Sequence, residues 1–157
     1  MPAEILTARQ KLFLAQFAAQ PLLSKKFYFP DEVLKVEFTY FPFPRIETSV
    51  THEGLQLDSL RDIAVNKLFS IYQRSVARDY IDLYCIVRQT GYTIADLASQ
   101  ARIKFDFMID PLQLGTQFLK AETAADLPRM IENIDDKLWR EFFRREAEKL
   151  KPQILTD

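Results

Sequence analysis

The chain has 157 residues, with 21 lysines and arginines against 22 aspartates and glutamates, a formal net charge of -1. At 48% hydrophobic and 27% charged it has the balance of a soluble globular protein, long enough for one domain with a sizeable core. That balance excludes a polybasic nucleic-acid coat and an acidic solvating tail. One cysteine, Cys85, excludes an internal disulfide, and with one histidine, His52, no Cys/His zinc site can form.

The three glycines, Gly54, Gly91 and Gly115, are isolated, so no glycine-rich loop is present to bring backbone N–H groups onto a phosphate. No apolar run approaches the roughly 20 residues that span a bilayer. With no basic-then-apolar pattern at residue 1, the chain reads as cytoplasmic and without a membrane role.

In chain order, Thr7-Ala8-Arg9-Gln10 forms a capping pattern that predicts a helix to about residue 20, ended near Pro21. A basic-aromatic stretch, Lys25-Lys26-Phe27-Tyr28-Phe29, leads to Pro30. From Val33 the period becomes two: Leu34, Val36, Phe38 and Tyr40 alternate with Lys35, Glu37 and Thr39, as in a half-buried strand. Phe41-Pro42-Phe43-Pro44 ends it. Residues 46–50 and 54–57 are shorter strand candidates around a polar turn, Thr51-His52-Glu53, which puts His52 at the surface. The aromatics of residues 27–29 and 38–43 read as core and sheet cover, since a base-stacking surface would interleave more Lys and Arg.

Everything later reads as helix. Ser59-Leu60-Arg61-Asp62 is a second cap, followed by a stripe of Leu60, Ile63, Ala64, Leu68, Ile71 and Tyr72. A new helix opens at Arg78-Asp79 and closes at Gly91. Thr93 to Asp96 caps another, to about Lys104, and Asp110-Pro111 starts a fourth. The last runs from about Asp135 to Leu150 and buries Trp139, Phe142, Phe143 and Leu150. Its basic residues, Arg140, Arg144, Arg145, Lys149 and Lys151, read as a solvated face, with an RNA-backbone patch as the lesser alternative. Cys85, among apolar neighbours, reads as a small buried hydrophobe. The expected class is α+β, mostly helical, as a single domain over 1–157. A small N-terminal sheet of two or three strands (1–57) would pack on a C-terminal helical bundle (58–157).

Some charges lie where core is expected. Leu60, Ala64, Lys67, Ile71 and Arg74 fall at helical steps, placing Lys67 on an apolar face, where an ammonium needs an anion. Asp82 lies inside the apolar run from Tyr80 to Ile86, one turn after Arg78. If these helices are antiparallel neighbours, Lys67, Arg74, Arg78, Asp79 and Asp82 converge. Two readings of that set stand side by side. It can be structural, with Asp79 as N-cap, Asp82 at N3 and the long cations extending along their aliphatic stems, or it can be an anion or nucleotide site.

The segment from Leu60 to Tyr84 resembles the K-L-x-A-x-x-x-R-x-x-x-R-D-x-x-D-L-Y motif of the AbiEii-type nucleotidyltransferase toxins, with Ser70 in the small-residue slot. Residues 7–29 are similar to that family's opening helix and the lead-in to its first strand. Residues 93–104 are similar to the helix after the motif, and Asp126-Leu127-Pro128-Arg129-Met130 to its acidic-proline segment. The resemblance implies a nucleotidyltransferase-like fold and a type IV toxin–antitoxin or abortive-infection role. It also implies nucleoside monophosphate transfer from a nucleoside triphosphate, with Mg²⁺, onto an RNA acceptor. Carried over, Lys67 would face the triphosphate, while Asp79 and Asp82, with Arg74 and Arg78, would form the other wall.

The family's Gly-Gly-Thr/Ser turn and Asp-x-Asp pair are absent. Phe27-Tyr28-Phe29 runs directly into Pro30-Asp31-Glu32, and adjacent carboxylates cannot share one strand face. The sequence therefore looks like a family member with its metal-holding block missing from the middle. The expectation is a degenerate member that is non-catalytic alone. The alternatives are a binding or regulatory module that pairs with another chain, or a second copy, through an exposed strand edge, and an enzyme completed in trans. An antitoxin is the implied partner, and RNA is an acceptor only if activity is retained.

Overall fold

In the computed structural model the described residues are the backbone of 24–29 and 32–39, then 41–128, 130 and 134–154. The expected helix over residues 7–20 lies outside them, as does Asp31. The chain forms two compact units, Met1–Pro42 and Phe43–Asp157. The class is α+β and mostly helical.

In the first unit, β1 (Ser24–Phe29) pairs antiparallel with β2 (Glu32–Thr39), with Ser24 opposite Thr39 and Phe27 opposite Val36. The register slips between Tyr28 and Phe29, so that Phe29 faces Glu32. The alternating stretch from Val33 does form a strand. The basic-aromatic stretch before Pro30 is also a strand, because Phe and Tyr favour the extended backbone that β2 offers for pairing.

The second unit opens with a small hairpin, β3 (Val50–His52) with β4 (Leu55–Leu57), whose residues are all exposed. Its turn is Glu53-Gly54, both at positive φ (49° and 81°), rather than Thr51-His52-Glu53. Two successive left-handed residues make the two-residue turn that suits the twist of a hairpin, and Gly54 takes the more extreme angle. His52 is thereby a strand residue, opposite Leu55, and is exposed.

Five α-helices follow: α1 (Leu60–Gln73), α2 (Ala77–Thr90), α3 (Ile94–Phe105), α4 (Pro111–Leu119) and α5 (Asp136–Ile154), with a 3₁₀ turn at Lys120–Thr123. Their ends follow local chemistry. Ser59 accepts the Asp62 N–H, Thr93 the Asp96 N–H and Asp110 the Gln113 N–H, while Gly91 closes α2 at φ 75°. The start of α2 differs from expectation. Val76 is its N-cap and offers no side-chain acceptor, and Asp79 sits at the third helical position.

Helix α1 packs against α2, α3 and α4, while α5 lies on α4 and α2. The core stripe of α1 is Ala64, Val65, Leu68, Ile71 and Tyr72; Leu60, the first residue of the helix, is exposed. Trp139, Tyr80 and Phe143 are fully buried; the Tyr80 ring stacks on Trp139 at 6.1 Å and meets Phe143 edge-on at 5.0 Å. Phe142, Leu150 and Cys85 are only partly buried, at the margin of this core. Phe43 meets Phe105 edge-on at 4.8 Å, and Phe69 stacks on the same ring at 4.0 Å, so Phe43 serves packing as expected.

Gly115, inside α4, has one neighbour where a Cβ would point, Leu150 Cδ1 at 3.8 Å, which is ordinary contact. Gly115→Ala should therefore raise stability by about 0.5–1 kcal/mol through helix propensity. A denaturation midpoint that falls instead would show that α4 and α5 cannot accept a methyl group.

Candidate functional site

The connection between α1 and α2 is only Arg74-Ser75-Val76, so the C-terminal half of α1 lies beside the first turns of α2. Lys67, two turns before the end of α1, reaches two carboxylates of α2. Its Nζ is 2.9 Å from Asp79 Oδ1 and 2.6 Å from Asp82 Oδ2. Arg74, the C-cap of α1, donates from Nη2 (3.2 Å) and Nε (3.3 Å) to Asp79 Oδ2. Each Asp79 oxygen thus receives a different cation.

Burial grades across the cluster. The Asp79 side chain is 5% exposed, Lys67 23%, Asp82 40% and Arg74 64%. Asp79 is the enclosed anchor, and the cations extend from it towards water. Burial pushes the Lys67 pKa down, but the hydrogen bonds and charges of Asp82 and Asp79 more than offset this and hold it above the usual lysine value. Lys67 therefore remains an ammonium across the physiological range. Arg78 is exposed and makes no ion pair with another described residue. Four of the five residues singled out by spacing meet, and Arg78 stands outside as a free-facing positive charge.

Asp79 has both oxygens paired, with Lys67 and Arg74, and Asp82 has one on Lys67; among the described residues no group of three or more His, Cys, Asp or Glu is placed to hold a metal.

Two polar arrangements were not anticipated. Asp62, read only as part of a cap, is fully buried beside Lys104, whose side chain is 1% exposed, with Nζ–Oδ1 2.7 Å. Asp62 also accepts the N–H groups of Ile46 (2.9 Å) and Glu47 (3.1 Å) and the Ser59 hydroxyl (2.9 Å). A signal existed: Leu97, Ala101, Lys104 and Phe105 fall at helical steps, placing Lys104 on the apolar face of α3. The second is Asp126 Oδ1, which accepts the Ala77 N–H at 2.9 Å across 49 positions of sequence. Nothing local announces it.

The basic residues of α5 are largely paired within their own helix: Arg144 with Glu141 and Glu148, Arg145 with Glu141, and Lys149 with Glu146. Arg140, 3.9 Å from Asp136 one turn earlier, also donates to the carbonyls of Ala121, Glu122 and Ala124. That is a salt-bridged solvent face, as expected, with one arginine diverted to tie down the end of the 3₁₀ turn.

Residues 8–155 match the family model of the nucleotidyl transferase AbiEii toxins of type IV toxin–antitoxin systems. The chain belongs to that family. No curated protein and no solved structure gives a significant match. Among the described residues no helix is long and apolar enough to cross a membrane.

Proposed function

We propose that this chain is a toxin-family nucleotidyltransferase homologue that retains a phosphate-facing wall and does not transfer nucleotides by itself. The wall is Lys67, Arg74 and Arg78, with Asp79 and Asp82 as the anions that orient Lys67 and Arg74. The observation that carries this is the commitment of both carboxylates to Lys67 and Arg74. It fixes the cations in place and occupies both oxygens of Asp79 and one of Asp82. The four residues that meet balance two positive charges with two negative ones, so the charge that favours phosphate is that of exposed Arg78, and positioning without metal-bridged oxygens leaves most of the transfer barrier in place. The absent Gly-Gly turn and Asp-x-Asp pair point the same way. In a type IV toxin–antitoxin setting the chain would meet an antitoxin; localisation to the cytoplasm belongs to the same reading.

Calorimetric titration of the purified chain with each nucleoside triphosphate, with and without Mg²⁺, tests the wall. Micromolar binding is expected, weakened at least about tenfold by Lys67→Ala, the loss of one charge-assisted contact. No heat at millimolar nucleotide would mean that the cluster is scaffold. Transfer of labelled nucleotide to RNA by the chain alone, metal-dependent and abolished in a Lys67→Ala/Asp82→Ala double variant, would overturn the non-catalytic reading.

A second reading has its own support. Among the described residues the β1–β2 ribbon is two-stranded, so each strand has an outer backbone edge without a partner there. Such edges accept a strand from a second copy, or from a polypeptide carrying the missing Gly-Gly…Asp-x-Asp block, which would complete an enzyme in trans. A strict monomer by light scattering at high concentration would remove the homo-oligomer form of this reading.

A further inference from the structure

We propose that Asp126 is a positioning residue for the Lys67–Asp79–Asp82 cluster, its carboxylate capping α2 from the far side of the sequence and fixing where Asp79 presents its oxygens. The inference rests on the phosphate-wall reading and adds a residue that reading does not contain. The first N–H of a helix needs an acceptor, and the local N-cap, Val76, has no side-chain acceptor, its carbonyl being taken by the Asp79 N–H at 3.0 Å. Asp126 Oδ1 supplies it, at 2.9 Å from the Ala77 nitrogen. Asp79 lies two residues further into the same turn, so whatever fixes Ala77 fixes the origin of the Asp79 side chain. From there the geometry passes to Lys67 at 2.9 Å and Arg74 at 3.2 Å.

Asp126 is itself held in place. Its segment follows the 3₁₀ turn, and the Arg140 guanidinium gathers the carbonyls of Ala121, Glu122 and Ala124 (2.6 Å to Ala121, 2.8 Å to Ala124). That guanidinium lies over the Trp139 ring, its central carbon 4.4 Å from the centroid, and Trp139 is fully buried. The brace runs from the core through Arg140 to the 3₁₀ carbonyls, to Asp126, to the first turn of α2 and so to the cluster. The links are hydrogen bonds and one packed ring, joined by short runs of chain from Ala124 to Asp126 and from Ala77 to Asp79.

Asp126 is exposed, so its variants should fold, and water can replace a lost acceptor without holding the turn in place. The full chain carrying Asp126→Ala or Asp126→Asn would be compared with wild type by two readouts. One is triphosphate affinity by calorimetry. The other is the titration of the Lys67 ammonium, followed by its side-chain NMR signals. Asp126→Ala should weaken triphosphate binding about fivefold, the scale of a lost helix cap, and return the Lys67 titration towards the ordinary lysine value. Asp126→Asn, which keeps an oxygen acceptor, should stay within about twofold of wild type in affinity and leave the titration in place.

A cap that only stabilised the helix would lower the denaturation midpoint in Asp126→Ala while leaving both readouts unmoved, and that result would overturn the proposal. Should wild type bind no triphosphate, the phosphate wall fails on its own account. The Lys67 titration then decides for Asp126: displaced in the alanine variant it stands, unmoved it falls.

Discussion

Asp62→Ala is expected to lower the stability of the chain by about 3–5 kcal/mol, the largest single effect in the helical unit. The substitution strips Lys104, its side chain 1% exposed, of the carboxylate 2.7 Å away. It also takes the acceptor from two backbone N–H groups, those of Ile46 and Glu47. Removing one partner of an enclosed ion pair costs far more than the pair contributes relative to an apolar substitute, because the remaining charge keeps its desolvation penalty. Lys104→Met should therefore cost less, since Asp62 keeps three hydrogen-bond donors. The Asp62→Ala/Lys104→Met double variant should lose less than the sum of the singles, with a coupling of about 0.5–3 kcal/mol. Urea denaturation of the four proteins measures this, and additive losses would show that the two side chains do not act as a unit.

Acid should reveal the same residue. Burial alone would raise the Asp62 pKa, but the Lys104 ammonium, the amides of Ile46 and Glu47 and the Ser59 hydroxyl together hold it at about 2, against 3.8 ordinarily. A carboxylate with a depressed folded-state pKa binds its proton more readily when unfolded. Its stabilisation is fully present above pH 3.8 and is lost as pH falls towards 2. The difference is worth about 2 kcal/mol. Glu141 on α5 is also held at about 2, by Arg144 and Arg145, but those partners stand in water and are screened. Unfolding free energies measured between pH 5 and 2 should fall for wild type and stay flatter for Asp62→Asn. Equal slopes would mean that Asp62 titrates normally.

How much of this was legible in the sequence depends on distance along the chain. The caps at Ser59, Thr93 and Asp110 and the closure at Gly91 were readable because each is settled by residues within one turn. Lys67 and Asp82 were readable because helical spacing alone placed a charge on an apolar stripe and another inside an apolar run. The hairpin turn was misplaced by the polarity of Thr51-His52-Glu53; Gly54, whose backbone freedom selects the turn, carried the better signal. Asp79 reads as an N-cap in isolation, and only the packed structure shows Val76 in that position, with Asp126 supplying the acceptor from 49 residues away. Lys104 stood on the apolar stripe of α3 as plainly as Lys67 stood on that of α1. Its partner lay 42 residues away, and no local rule pairs such residues.

The way Asp62 holds residues 46 and 47 has a consequence for sequence divergence. Its two oxygens grip peptide N–H groups, which every residue but proline carries, so the anchorage is indifferent to which side chains stand there. Position 46 remains tied to an apolar residue by its packing against the core, while the exposed Glu47 side chain pairs with Arg61 at the surface. Across related chains, position 47 should drift through almost the whole amino-acid alphabet with proline missing, beside an acidic residue at 62 that does not drift at all.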